Sequence, residues 1–209
     1  MADIVTDTVT VVVVGNSKVG KSSIIDRFVL GSYSHVYLPT TGVDFNAKVI
    51  QVDNSNVSVN IWDTSGQEGF SFAAEKHIKQ ADGFIFVYDV TDVESFMSLT
   101  NTLLRIQQLA KAHNLPKVLV GNKIDLRHKQ VIGASRAREF GIPEGMEHIE
   151  VSAFSNKYPH TVFYMLAANI LRFRNLGTII PIGLRSDLHA AYQDACDADT
   201  ALMAAESIE

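Results

Sequence analysis

The sequence has one cysteine, Cys196, among 209 residues. A single cysteine cannot form an intramolecular disulfide or supply a cysteine-rich metal site, so we expect a reducing compartment, and the cytoplasm fits best. Positive charge is not in excess either: 18 Lys and Arg stand against 23 Asp and Glu, for a formal net charge of −5. Because binding to nucleic acid needs clustered cations that displace counterions from phosphates, this balance predicts no nucleic-acid partner.

Long apolar runs and targeting signals are also missing. No stretch reaches the roughly 18 apolar residues that mark a membrane span, and the most hydrophobic runs, at 9–14 and 84–88, have the length of strands. Asp3 and Asp7 lie where a secretory signal carries positive charge, and Ala2 stands where myristoylation requires glycine. We expect residues 1–7 to be a short N-terminal tail.

What the sequence does contain is an alternation of strand-like and helix-like segments. Runs rich in β-branched and aromatic residues lie at 8–14, 45–52, 57–63, 83–89, 117–122 and 147–152, and helical spacing lies at 21–30, 72–80, 94–113, 134–140 and 158–174. This order predicts an α/β fold with a mostly parallel, six-stranded sheet and helices on both faces. The turn at 53–56 is too short for a crossover, so it predicts a hairpin and one antiparallel edge strand.

One domain of this kind is expected over 8–175, followed by a C-terminal tail at 176–209. In the tail, Leu184, Leu188, Tyr192 and Ala195 recur at helical spacing and predict a short amphipathic helix.

The strongest chemical signal is GNSKVGKS at 15–22, between the first strand and the first helix. It fits the P-loop template, in which glycines let backbone amides turn toward phosphate oxygens, a lysine reaches the outer phosphates and a serine hydroxyl binds Mg²⁺. We therefore predict a P-loop NTPase fold, with Lys21 and Ser22 in those two roles. The alternative is a glycine-rich turn with a structural role alone.

A second motif, WDTSGQE at 62–68, closes the second strand of the hairpin. Asp63 could hold Mg²⁺ through water, Gly66 could sense the γ-phosphate, and Gln67 could orient the attacking water. The alternative makes Asp63 a strand-end cap and Gln67 a solvated loop residue.

A third motif, NKID at 122–125, follows the strand at 117–121. The Asp125 carboxylate can accept two hydrogen bonds from the N1 and N2 edge of guanine, which adenine cannot offer, and the Lys123 stem can lie across the base. This motif favours GTP over ATP, the alternative being an ordinary polar turn.

In order, GNSKVGKS, PTTGVDF, WDTSGQE, GNKID and VSAF resemble the motifs of the Ras superfamily of small GTPases over about residues 9–174. The closest resemblance is to the Rab branch, because of TTGVDF at 40–45 and WDTSGQE. The resemblance implies that Thr40 binds Mg²⁺ and the γ-phosphate, that Tyr33 stacks against the edge of the guanine, and that Ser152 and Ala153 meet the base.

The implied cofactors are GTP or GDP and Mg²⁺. The residues assigned to the nucleotide are Gly15, Ser17, Lys18, Val19, Gly20, Lys21, Ser22, Ser23, Tyr33, Thr40, Gly66, Asn122, Lys123, Asp125, Ser152, Ala153 and Phe154. Those assigned to the metal are Ser22, Thr40 and Asp63, and those assigned to catalysis are Gln67, Lys21 and Thr40.

By the same resemblance we expect a monomeric molecular switch that hydrolyses GTP slowly and acts in vesicle traffic. Its expected partners are an exchange factor, an activating protein that supplies an arginine, and effectors that read Phe45, Trp62 and the switch loops. Two alternatives are a guanine-nucleotide-binding module that does not cycle and a scaffold that does not depend on hydrolysis.

Four positions depart from the family pattern. Lys18 is either an extra cation at or near the phosphates or a solvated surface lysine. Gly69 replaces a basic residue of the Rab pattern and is expected to loosen the loop after Gln67. His77 falls where the third aromatic residue of the effector surface is expected. Phe154 replaces a lysine, which weakens the wall behind the base.

The C-terminal end departs as well, because it shows no prenylation cysteine. Cys196 is flanked by Asp and lacks the second signal that stable lipid anchoring requires, so an unmodified thiol is expected. Any recruitment to an endomembrane is then expected through a partner.

Overall fold

The structure, a computed structural model, describes residues 5–34, 36, 38–53, 55–66, 72–110 and 114–177. Within these residues the strands are β1 (Asp7–Val14), β2 (Val43–Val52), β3 (Ser55–Thr64), β4 (Gly83–Asp89), β5 (Lys117–Asn122) and β6 (Met146–Glu150). The α-helices are α1 (Lys21–Leu30), α2 (Phe72–Ile78), α3 (Val93–Met97), α4 (Leu99–Leu109), α5 (Ala134–Gly141) and α6 (Pro159–Leu176), with short 3-10 helices at Ile124–Lys129 and Ile142–Glu144.

None of the described helices combines the length and apolar character needed to cross a bilayer. The predicted helix of the C-terminal tail, Cys196, Gln67 and Gly69 lie outside the described residues.

The six strands form one sheet in the order β2-β3-β1-β4-β5-β6. β1 pairs in parallel with β3 and β4, and β5 lies parallel between β4 and β6. β2 pairs antiparallel with β3 and forms one edge. The prediction of a mostly parallel, six-stranded sheet with one antiparallel edge strand is confirmed.

β1 shows how the sequence builds a core on both faces of this sheet. Successive side chains of a strand point to opposite faces. Val9, Val11 and Val13 therefore join the hydrophobic cluster under α1 and α6, whereas Val12 and Val14 join the cluster under α3, α4 and α5. A continuous run of valines is what a central strand buried on both faces requires.

Helix α1, which begins at the P-loop, is fixed against α6 by an aromatic stack. The rings of Phe28 and Phe163 lie 4.1 Å apart between centroids and are inclined by 15°. Both side chains are fully buried. This packing sets the position of the helix whose first turn carries Lys21 and Ser22.

In the segment 94–113, where a helix is predicted, the described residues form α3 and α4, which adjoin at Ser98. Asp92 caps α3 by accepting a hydrogen bond from the backbone N–H of Glu94 (2.9 Å). The Ser98 hydroxyl donates to Asn16 Oδ1 of the P-loop (2.7 Å). Ser98 itself keeps helical backbone angles (φ −65°, ψ −19°), and its N–H donates to the carbonyl of Glu94 (3.0 Å), so α4 continues the direction of α3.

Several predicted boundaries shift by one or more residues. β3 begins at Ser55, which pairs with Val52, so the hairpin turn is shorter than the predicted 53–56. β6 ends at Glu150 and not at 152, and α2 ends at Ile78 and not at 80. β1 begins at 7, inside the predicted tail. α6 ends only at Leu176, and the φ of 67° at the following Gly177 is the left-handed geometry of a helix stop.

Leu103 and Leu104 are neighbours on α4 in opposite environments, with 4% and 52% of their surface exposed. We expect Leu103→Ala to lower the free energy of unfolding by about 2–5 kcal/mol, because truncation of a buried leucine leaves a cavity. Leu104→Ala is the matched control and should change it by about 0.5 kcal/mol or less. Equilibrium unfolding in urea measures both, and equal losses would contradict the orientation of α4.

Candidate functional site

The described residues of the predicted site lie along one edge of the sheet, where its parallel strands end. The P-loop follows β1, Asp63 and Gly66 lie at the end of β3, and Asn122 closes β5. Ser152 and Ala153 follow β6. Because parallel strands end on the same side of a sheet, these residues meet although up to about 140 positions separate them, and ligands bind at this edge in open α/β sheets.

The P-loop is closed around its own lysine. Lys21 Nζ donates hydrogen bonds to the backbone carbonyls of Gly15 and Asn16, each at 2.9 Å. Gly20 has a φ of 94°, and a Cβ there would overlap the side-chain amide of Asn122. Glycine is therefore required at this position by both backbone conformation and space.

The remaining predicted residues of this segment have different environments. Lys18 is exposed at a left-handed φ of 66°, which places it at the rim of the loop. Ser17 is exposed, Ser23 is half-buried in α1, and Val19 is buried. The Val19 carbonyl accepts a hydrogen bond from Asn122 Nδ2 (2.8 Å). Asn122 thereby joins the P-loop to the loop after β5.

Lys21 and Asp63 are both charged residues with buried side chains. Burial lowers the pKa of Lys21 from 10.5 to about 8, and the negative charge of Asp63 opposes this shift. Burial also raises the pKa of Asp63, against the hydrogen bond from Ser22 and the charge of Lys21. Since both charges are poorly solvated by protein alone, the site favours ligands that bring charges of their own.

Ser22, Thr40 and Asp63 meet beside Lys21. The Ser22 hydroxyl donates to Asp63 Oδ2, and the hydroxyl oxygens of Ser22 and Thr40 lie 3.0 Å apart. Asp63 Oδ1 is buried and has no hydrogen-bond partner among the described residues. A carboxylate oxygen in need of a partner, with two hydroxyl groups beside it, is the hard oxygen donor set that suits Mg²⁺.

The metal would not be held by protein carboxylates alone. The described part of the chain contains no group of three or more His, Cys, Asp or Glu that could hold a metal ion. Mg²⁺ is typically bound through one or two carboxylates, with water and substrate phosphates completing its octahedron. The cluster of Ser22, Thr40 and Asp63 fits this mode and therefore fits a metal bound together with a phosphate ligand.

The loops before β2 and after β3 touch each other and the P-loop. The backbone N–H of Ser65 donates to the carbonyl of Gly42, and the N–H of Ser17 donates to the carbonyl of Gly66, both at 2.9 Å. A Cβ on Gly66 would overlap the backbone of Asn16 and Ser17. Only glycine allows the chain to approach the P-loop this closely.

The residues predicted to read the base form a second group. Ser152 Oγ donates to Asp125 Oδ1 (2.5 Å), and the Ala153 N–H donates to Asn122 Oδ1 (3.3 Å). The loops after β5 and β6 are therefore held together by side chains of the predicted motifs. This arrangement holds the Asp125 carboxylate beside the Ala153 backbone.

Lys123 has a partner that the sequence analysis did not identify. Its Nζ lies 2.7 Å from Asp89 Oδ2, and its backbone adopts a φ of 70°. Although burial raises it, the pKa of Asp89 is lowered overall by Lys123 and by hydrogen bonds from Thr91. The sequence signal that could have identified this partner was an aspartate at the end of β4, since Asp63 lies near the end of β3 in the same way.

Tyr33 and Phe154 lie side by side. Their ring centroids are 5.6 Å apart with an interplanar angle of 88°. The two aromatic rings thus place the segment after α1 against the loop that contains Ser152 and Ala153.

Phe45, Trp62 and His77 form a surface cluster. The rings of Phe45 and Trp62 lie 4.8 Å apart, and His77 stacks on Trp62 at 3.5 Å with an angle of 25°. Phe45 remains 53% exposed. The structure therefore brings together the three positions at which the resemblance predicts an effector surface. The third ring of this cluster is the imidazole of His77.

A six-stranded sheet with a P-loop after its first strand, and a magnesium-type cluster beside it, defines a phosphate-binding α/β protein. Residues 10–172 match the Ras family. The chain is also 38% identical over 157 residues to the Ras-related protein Rab-1 of Theileria parva and to that of Theileria annulata. Each alignment covers 75% of this chain and 71% of the relative. The chain belongs to the Ras family and is a Rab-like small GTPase.

Because burial lowers the pKa of Lys21 to about 8, we expect nucleotide binding to depend on pH. A lysine in contact with phosphate oxygens would keep its proton in the complex, whereas the free protein loses it above pH 8. Binding must then take up a proton, and we expect the affinity for GDP to fall by about tenfold between about pH 7 and pH 9.

Fluorescence titration with a labelled GDP at each pH measures this dependence. Lys21→Met is the control, because its side chain cannot titrate and its weaker affinity should stay level over the same range. A wild-type affinity that does not change with pH would contradict this coupling between the proton on Lys21 and the nucleotide.

Proposed function

We propose that this GTPase binds GTP or GDP with Mg²⁺ at the edge of the sheet and works as a molecular switch. The observation that carries the proposal is the meeting of Ser22, Thr40 and Asp63 around an unpartnered carboxylate oxygen, next to the buried Lys21. These residues come from three separate segments of the chain. A strand-end cap at Asp63 alone would not need the two hydroxyl groups beside it.

On the phosphate side, Lys21 would exchange its two carbonyl partners for phosphate oxygens, and the P-loop amides would donate to the same oxygens. The hydroxyls of Ser22 and Thr40, with Asp63 acting through water, would hold the metal. When bound, Mg²⁺ neutralises charge that develops on the phosphates. The remaining predicted contacts of the segment, at Gly15, Ser17, Lys18, Val19, Gly20 and Ser23, would surround the phosphates.

On the base side, Asp125 would accept hydrogen bonds from N1 and N2 of guanine, and the Ala153 N–H would donate to the base carbonyl. Ser152 supports this role, because its hydroxyl holds the Asp125 carboxylate in place. Lys123 would lie across the base, oriented by Asp89. Adenine offers an acceptor at N1, so the carboxylate would discriminate against ATP.

Hydrolysis requires positioning and charge stabilisation more than covalent chemistry. Gln67 would orient the attacking water, while Lys21 and the P-loop amides stabilise the charge on the transferred group. Thr40 would bring the segment before β2 to the γ-phosphate. Without an arginine from an activating protein, turnover would be slow.

The conformational output would come from the two loops that contact each other. The Ser65 to Gly42 hydrogen bond joins the loop after β3 to the loop before β2. Thr40 and Gly66 belong to these loops, so binding of a γ-phosphate at either residue would move both. A ligand shifts such an equilibrium only by its differential affinity for the two states.

As a Rab-like GTPase the protein acts in intracellular vesicle traffic. We propose an exchange factor, an activating protein and effectors as its partners, with effectors reading Phe45, Trp62 and His77. We also propose that it works as a monomer in the cytoplasm and reaches an endomembrane through a partner. The non-cycling module and the scaffold are not favoured, because the family is one of GTPases and Ser22, Thr40 and Asp63 stand together.

The hydrolysis proposal predicts slow conversion of GTP in a single turnover and no comparable conversion of ATP. Gln67→Leu should slow the conversion by at least about tenfold while GTP binding is kept, since only water positioning is lost. The full-length protein is preloaded with GTP and Mg²⁺, and bound nucleotide is quantified over time. Stable loading without conversion in the wild type would instead establish the non-cycling module.

The base proposal predicts that Asp125→Asn exchanges guanine for xanthine specificity. An amide presents one donor and one acceptor, which match O2 and the N1–H of xanthine, whereas guanine presents donors at both positions. We expect GDP affinity to fall by about 100-fold or more and XDP affinity to rise. Competition against labelled GDP or XDP measures this, and equal losses for both nucleotides would show that Asp125 does not face the base.

A further inference from the structure

One face of the β2–β3 hairpin is left largely uncovered by the part of the chain that the structure describes. Residues that pair across antiparallel strands share a face. The pairs on this face are Phe45–Trp62, Ala47–Asn60, Val49–Ser58 and Gln51–Asn56. These eight residues are termed the outer hairpin face. Their neighbours, such as Ile50 and Val57, point to the other face and join the cluster under α1 and α6, whereas the cluster under α3, α4 and α5 reaches the outer hairpin face only at Trp62.

The outer hairpin face has no formal charge and is partly apolar. Phe45 and Val49 are 53% and 47% exposed, and Ala47 is exposed between them. The one lysine of β2, Lys48, serves the other face, where its Nζ donates to the carbonyl of Phe28 (2.9 Å). Proteins commonly protect an edge strand with charged side chains or cover it with another segment. Because the outer hairpin face lacks the charges, it has the character of a surface that another segment covers.

The C-terminal tail starts next to this hairpin. α6 ends at Leu176, and in its last turns Arg172 Nη2 lies 3.9 Å from Asp53 Oδ2 at the hairpin turn. An extended chain from Gly177 to Leu184 spans at most about 23–25 Å. This reach is sufficient to bring the predicted tail helix to the Gln51 end of the outer hairpin face.

The predicted tail helix matches the outer hairpin face in length and character. From Leu184 to Ala195 a helix is about 17 Å long, and from Gln51 to Phe45 the strand is about 20 Å long. A helix this short is marginal in water and gains its stability from packing an apolar side. Residues 178–209 contain six acidic residues and one arginine, and an uncharged face presents no like charge to repel them.

We propose that residues 184–195 fold back as a helix and pack their apolar side along the outer hairpin face. The helix runs from Gln51 toward Phe45, which brings Cys196, the residue after its end, close to Trp62. The docked tail covers Phe45, so the tail and an effector compete for one surface. This consequence for partners rests on the proposed effector surface, whereas the docking itself does not.

Trp62 is the only tryptophan of the sequence and Cys196 is the only cysteine, so the contact can be measured in the full-length protein without new residues. A nitroxide attached to Cys196 quenches tryptophan emission only at close range, and a diamagnetic label of the same size is the reference. We expect the nitroxide to remove about half or more of the Trp62 emission, because the docked tail is the major state. An undocked tail behaves as a flexible chain and keeps the label mostly out of range.

Two substitutions place a carboxylate in the proposed contact, one on each side. Val49→Asp changes the outer hairpin face and Leu188→Asp changes the apolar side of the tail helix. Each should restore most of the emission, because docking would bury an unpaired charge. Val49 is exposed, so its substitution leaves the fold intact.

Each substitution has a matched control that should leave the quenching unchanged. Val131→Asp alters a valine that is 52% exposed and whose N–H donates to the carbonyl of Val90, next to β4 and three strands away from β2. Ser186→Asp adds the same charge on the opposite side of the predicted tail helix from Leu188. Equal restoration by the controls would overturn the docking, because net charge alone would then explain the effect.

Two further results would overturn the proposal. One is a Trp62 emission that the nitroxide on Cys196 does not change. The other is quenching between molecules, in which nitroxide-labelled Trp62→Phe protein quenches unlabelled Cys196→Ser protein, because a second copy would then occupy the face. Retention of GDP is measured on the same samples, so failure of the proposed nucleotide site is detected separately.

Discussion

The positive charge of Lys21 is the constraint on which the rest of the site depends. The ammonium group is buried, bonded to two carbonyls of the loop that precedes it, and set near the buried carboxylate of Asp63. Neither charge is well solvated, so the arrangement is suited to an anionic ligand and a divalent cation that arrive together. The fold must therefore hold the first turn of α1 firmly, and the stack of Phe28 on Phe163 does so from the opposite end of that helix.

Asn122 connects the P-loop to the loops that are proposed to bind the base. One end of its side chain donates to the Val19 carbonyl of the P-loop, the other accepts from the Ala153 N–H, and its amide occupies the space that only Gly20 leaves open. One amide group thus connects the P-loop to the loop after β6. The contacts of Ser65 with Gly42 and of Gly66 with Ser17 join the loops before β2 and after β3 to the same frame.

The departures from the family pattern that the structure describes lie at the border of this frame and not inside it. Lys18 is exposed on the P-loop, Phe154 is exposed in the loop after β6, and His77 stacks on Trp62 beside the exposed Phe45. Side chains at such borders meet solvent or partners, where substitution costs less than in a packed interior. Substitution at these positions therefore leaves the internal contacts of the site intact.

Local patterns in the sequence determined the strands, most helices, the sheet with its antiparallel edge and the sites of the three nucleotide motifs. Strand alternation, helical spacing and loop chemistry are encoded by near neighbours, as the valines of β1 illustrate. The tertiary structure alone decided the contact of Ser98 with Asn16, 82 positions away, and that of Arg27 with the carbonyl of Ala153, 126 positions away. These contacts follow from which loops the sheet brings within reach of the two side chains, and no local periodicity contains that information.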